Sequence, residues 1–185
     1  MTLLFERYQT LAALGANISQ SIGRSVSWLT FVMVILMAGI VVVRALFNVN
    51  SVGAQELVTY LHATVIMFAS AYTLAEQGHV RVDIFYRHCS LKYQAWVDLM
   101  GNILFLLPFA LVTIFVSWTF VTNAWAMQET STDAGGLPFV FLLKSLLVVN
   151  GVLLALQAIA DSLKQLANLG QIEQEATQTS PQERT

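Results

Sequence analysis

The chain has 185 residues, 56% of them hydrophobic and 11% charged, and its 9 Lys and Arg against 11 Asp and Glu give a formal net charge of −2. That balance leaves too little polar surface to cover a soluble globule of this size, and it offers no basic stripe for nucleic acid. One cysteine, Cys89, excludes an intrachain disulfide, and His79, His88 and Cys89 are too few to complete a metal site.

The first 25 residues are not a cleavable signal peptide in pattern. Leu4, Tyr8, Leu11, Ile18 and Ile22 recur on one helical face, and no compact apolar core with a small-residue cleavage site precedes the next segment. The spacing predicts an amphipathic helix along the membrane interface, or a plain helical lead-in.

Four long apolar stretches follow, at about 26–47, 54–76, 95–121 and 138–160. A helix rises 1.5 Å per residue, so each can cross a hydrocarbon core about 30 Å thick. Continuous runs of this kind fit helices and not the alternation of a barrel strand. The predicted fold is therefore an all-α integral membrane protein: an N-terminal helix, a four-helix transmembrane domain over 26–163, and a cytoplasmic end at 164–185 whose polar tail beyond Gly170 reads as disordered.

Charge sets the orientation. The second connection, 77–94, carries Arg81, Arg87 and Lys92, whereas the third, 122–137, carries Glu129 and Asp133 without Lys or Arg. The positive-inside rule then places 77–94 and both termini in the cytoplasm. Trp28, Trp96 and Trp125 fall near span ends, where indole rings favour the headgroup layer.

Polar residues within spans are costly in lipid and mark where function or assembly is to be sought. In the second span Glu56, Tyr60, Ala63, Met67, Ser70 and Ala71 share a small, polar face, opposite Val58, Leu61, Val65, Phe68 and Tyr72. The first face fits close packing, either within this chain or against another subunit, and the bulky face fits lipid. In the fourth span Asn150, Gln157, Asp161 and Lys164 align along one side, which is expected to meet protein, while Lys144 is placed to snorkel to the outer headgroups. In the third span Asp98 and Asn102 share a face near the entry, and Pro108 predicts a kink. Arg44 ends the first span and Glu56 begins the second, so a hairpin brings them to one depth, where they are expected to pair.

At these residues a family resemblance emerges. Arg44, Ala45, Leu46 and Phe47, then Gln55, Glu56, Leu57 and Tyr60, then Gly78, His79, Val80, Arg81, Val82 and Asp83 in the cytoplasmic loop, resemble in order and spacing the small (DctQ type) membrane subunit of tripartite ATP-independent periplasmic (TRAP) transporters. Gly135, Gly136, Leu137 and Pro138, with Lys144 and Gln157 beyond them, resemble the latter half of that family. The resemblance covers about 26–163.

It implies a subunit without catalytic, cofactor-binding or metal-binding residues, located in the bacterial inner membrane. A periplasmic substrate-binding protein (DctP type) captures an organic acid, and a large membrane subunit (DctM type) carries it in an elevator motion driven by sodium, so sodium coupling is expected in that subunit. The small subunit is the scaffold, with its outer surface a further contact for the binding protein. Tyr60, Ala63, Ser70, Ala71, Asn150, Gln157 and Asp161 are the expected subunit interface. The alternative is a haem- or quinone-associated membrane anchor of a respiratory enzyme, for which His62 lies within a span; His79 and His88 lie in the loop, so a second axial ligand at that depth is missing from this chain.

Overall fold

The computed structural model describes residues 2–75 and 89–179, with side chains described over 25–74 and 89–172. Five α-helices make up the described chain: α1 (Thr2–Phe47), α2 (Val52–Ala75), α3 (Leu91–Gly101), α4 (Leu107–Ala126) and α5 (Val140–Thr179). A π-helical turn, Asn102–Leu106, joins α3 to α4, so the two form one crossing. Four segments are long and apolar enough to span a bilayer: Ser25–Phe47, Val52–Leu74, Leu91–Ala126 and Val140–Ile172.

Several boundaries differ from the sequence expectation. The expected N-terminal helix runs without a break into the first span as α1, since no proline interrupts the Gly15–Arg24 stretch even though its glycines, serines and Asn17 are weak helix formers. At the other end α5 continues to Thr179 through the stretch read as disordered, which is rich in Gln and Glu, both favourable to helix once a stable segment has nucleated it. The kink expected at Pro108 takes the form of the π turn just before it. Proline lacks an N–H and crowds the carbonyl four residues back; a wider turn, in which the Leu107 N–H donates to the Asn102 carbonyl, relieves that crowding.

The helices pack with α2 and α5 as the central pair, α1 lying against α2 and α4 against α5, while α3 packs on the C-terminal half of α5. For α1 the seam is narrow. Val26, Leu29, Met33, Leu36 and Ile40 are covered at steps of three and four, and the rest of its span is exposed. Burial is correspondingly sparse. One core cluster joins Ala71, Ala110, Leu154 and Ala155, and a second joins Ala95, Leu99 and Leu169.

Small residues set the spacing of this core, as expected where hydrocarbon removes any apolar advantage of helix association and close contact must supply it. Ala110 and Ala158 are fully covered. A Cβ at Gly151 would lie 2.7 Å from Ile114 Cγ1 and 3.2 Å from the Ala110 carbonyl, so α4 and α5 touch backbone to backbone there. Gly151→Leu should therefore force the pair apart and destabilise the fold by about 1–3 kcal/mol, read as a lowered thermal midpoint in detergent. Gly39→Leu, at a position where a Cβ meets nothing within 4 Å, should leave the midpoint unchanged or raise it.

Candidate functional site

The polar side chains of the spans are distributed over three depths. At one end of the bundle, α1 closes on Asn48 (φ 54°), whose N–H returns to the Arg44 carbonyl at 3.1 Å; asparagine tolerates this left-handed cap better than most side chains. The turn leads directly into α2. On the other hairpin, α4 ends with the Glu129 N–H on the Ala124 carbonyl (3.0 Å) around Gln128 (φ 47°), a Schellman-type stop.

The loop beyond it folds back on itself. Ser131 donates its N–H to the Leu137 carbonyl (3.1 Å), Gly136 to the Asp133 carbonyl (3.0 Å), and Gly135 supplies a φ of +81°. Glu56 clamps this loop to α2. Its Oε2 accepts the Leu137 N–H at 2.6 Å, and its Oε1 accepts the Ser131 hydroxyl. Two glycines make the approach possible: a Cβ at Gly53 would stand 3.0 Å from the Gly135 carbonyl, and one at Gly136 would stand 2.8 Å from Glu56 Oε1 while striking Ser131. One carboxylate thus joins the first and third connections.

A second contact holds the same end. Lys144 donates to both oxygens of Glu129, at 2.7 and 2.5 Å, with its ammonium 3.9 Å from the centre of the Phe120 ring. Trp125 donates its indole N–H to Ser145 (2.8 Å) and packs edge-on against Phe141. Lys144 therefore turns to a fixed carboxylate of its own chain instead of snorkelling to lipid, since a bidentate partner within reach offers a stronger charge-assisted bond than a mobile headgroup.

Deeper in the membrane, the Ser70 hydroxyl lies 2.6 Å from Asn150 Oδ1 and 2.9 Å from the Met67 carbonyl. One hydroxyl proton serves one acceptor at a time; with the Asn150 amide turned about, its Nδ2 would donate to Ser70 and both contacts would be satisfied. Further toward the C-terminal end of α5, Gln157 donates to Asp161 at 3.2 Å. Among the described residues no group of three or more His, Cys, Asp or Glu is arranged to hold a metal ion.

Residues 32–168 match the family model described as tripartite ATP-independent periplasmic transporters, DctQ component. The chain belongs to the DctQ family. No curated protein and no solved structure matches it.

The DctQ chain uses several predicted residues differently from the sequence expectation. Arg44 and Glu56 do not pair: both oxygens of Glu56 are taken by Ser131 and Leu137, and Arg44 is exposed, with no ion pair among the described residues. The face of α2 expected to dock another subunit is turned inward, Ser70 meeting Asn150 and Ala71 entering the core with Leu154 and Ala155. Ala63, Gln157 and Asp161 are half covered, as is Tyr60, whose buried hydroxyl has no hydrogen-bond partner among the described residues. Val58, Leu61, Val65, Phe68 and Tyr72, expected to face lipid, are all partly covered as well. The loop motif of Gly78, His79, Arg81 and Asp83 lies outside the described residues. Ser131 and Gly53 were not singled out by sequence; Gly136 was, within the run Gly135, Gly136, Leu137, Pro138, but not as a neighbour of Glu56.

This geometry separates two residues that an ion pair would treat alike. Glu56→Ala should strand the Leu137 N–H and release the 127–139 loop, seen as faster proteolysis there and a lower thermal midpoint in detergent. Arg44→Ala should leave both within error of the parent chain. Gly136→Ala, which drives a methyl into the clamp, should reproduce the Glu56→Ala loop phenotype.

Proposed function

We propose that this DctQ chain is the scaffold subunit of a sodium-coupled TRAP transporter for organic acids, with no enzymatic activity of its own. It binds and steadies a large DctM-type membrane subunit that moves the substrate, and its outer loops offer a further surface to a DctP-type binding protein. It sits in the bacterial inner membrane with both termini and the 77–94 loop in the cytoplasm.

The observation that carries this reading is how the polar side chains of the spans are spent. Glu56, Ser70, Asn150, Lys144 and Glu129 close on one another or on nearby backbone, tying helices together instead of lining a path. Transport sites near the midplane are usually built from broken helices whose freed backbone groups face ion and substrate. Here the break in the third crossing is a π turn that remains hydrogen-bonded. Orientation is supported by the asymmetry of Lys and Arg between the loops and by the outer clamp, which brings the first and third connections to the same end. Sodium coupling and the organic acid class are carried over from the family resemblance, and the ATP-independent description of the family fits an ion gradient as the driving force.

Reconstitution tests the proposal. Liposomes holding the large subunit and this chain together, with the cognate binding protein and the labelled acid that it captures, should take up the acid when an inward sodium gradient is imposed. Liposomes holding this chain alone should take up none, and those holding the large subunit alone should be strongly impaired. Uptake by this chain without a permease would refute the scaffold role.

A further inference from the structure

The central pair of helices leaves one face of α2 uncovered. Gln55, Thr59, His62 and Ile66 are exposed and, at 100° per residue, fall within about 60° of arc. The sides of α2 flanking that stripe are partly covered along the span, where α1 and α5 pack.

Three of the four side chains need nothing more. Gln55 donates to Asn50 Oδ1 at 2.8 Å, Thr59 returns its hydroxyl to the Gln55 carbonyl at 3.3 Å, and Ile66 is apolar. His62 differs. Its imidazole makes no hydrogen bond among the described residues, yet it stands about 15 Å from the Val52 end of the span and about 18 Å from the Leu74 end, at mid-membrane. The side chain is too short to reach either headgroup layer, and neutral imidazole carries one donor and one acceptor that hydrocarbon cannot satisfy. By contrast the exposed stripe of α5 is apolar throughout, with Leu142, Val149, Val152, Leu156, Ile159 and Leu163, and asks only for lipid.

We infer that the stripe of Gln55, Thr59, His62 and Ile66 seats one transmembrane helix of the large permease subunit, and that this helix brings a hydroxyl, amide or carboxyl group to His62 at mid-membrane. The inference rests on the scaffold reading and specifies its contact face. A foreign helix is the occupant because α1 and α5 already hold the flanks of α2, and because a component of a tripartite transporter has a different membrane protein beside it. A second copy of this chain would set imidazole against imidazole, and that arrangement is an outcome the test separates.

The experiment co-expresses the tagged chain with its large permease and places the photo-crosslinking residue p-benzoylphenylalanine at Ile66 or at Phe115, which is 84% exposed on α4. Irradiation should join the Ile66 derivative to the permease and leave the Phe115 derivative unjoined. His62→Leu should weaken complex recovery by about three- to tenfold, the range of one interhelical hydrogen bond, and His62→Asn should restore part of it. Both variants should keep the parent thermal midpoint as isolated subunits, which separates docking from folding. If the permease co-purifies but Ile66 does not crosslink to it, or crosslinks to a second copy, or His62→Leu binds fully, the face is wrong while the scaffold role survives. Failure of the parent chain to co-purify with the permease at all would overturn the scaffold role and this face with it.

Discussion

Hydrocarbon offers no hydrogen-bonding partner, and the arrangement of this DctQ chain follows from where most of its polar groups find one. The carboxylate of Glu56 takes a backbone N–H and a hydroxyl from the loop before α5, so the first hairpin is fastened to the second at one end of the bundle. Ser70 and Asn150 fasten α2 to α5 deeper down, and Lys144 with Glu129 closes α5 on the end of α4. Between these points the helices approach on Ala71, Ala110, Gly151 and Ala158, where small side chains replace the driving force that water would give. The polar contacts give the pairing its specificity, since an unpartnered group at these depths costs more than a poorly packed leucine.

The consequence is a thin assembly with much of α1, α4 and one face of α2 uncovered. Such a surface suits a protein that is one part of a larger membrane complex, where lipid covers the apolar stripes and a neighbouring subunit meets the polar one. A carrier needs the opposite economy, with polar groups held open toward an ion or substrate and a helix broken to receive it.

Much of this was legible in the sequence. Four apolar runs of spanning length located the crossings, and Pro108 located the irregularity in the third, because both signals act through local chemistry alone. The importance of Glu56 was also legible, since a carboxylate at membrane depth must be paired. Its partner was not. Charge matching pointed to Arg44, which is near in sequence, whereas the structure supplies a loop hydroxyl and a backbone N–H that lie 75 and 81 residues away. Backbone donors are identical at every residue and leave no mark in composition. The orientation of α2 failed for a related reason: a small, polar face is what either a neighbouring helix of the same chain or another subunit would select, and helical phase cannot tell them apart. The helix continuing to Thr179 shows local propensity prevailing where low hydrophobicity alone suggested disorder.

On the scaffold reading, the polar groups within the spans hold helices together and line no aqueous path. Water accessibility of the contact between Ser70 and Asn150 tests this most directly, because maleimides react with the thiolate, which forms only where water reaches. In a Cys89→Ser background and native membranes, S70C and N150C should resist a water-soluble maleimide under conditions that fully label T132C, an exposed position in the loop before α5. Ready modification of either position, from whichever side, would reveal an aqueous route through this subunit and refute a purely structural role for the Ser70–Asn150 contact.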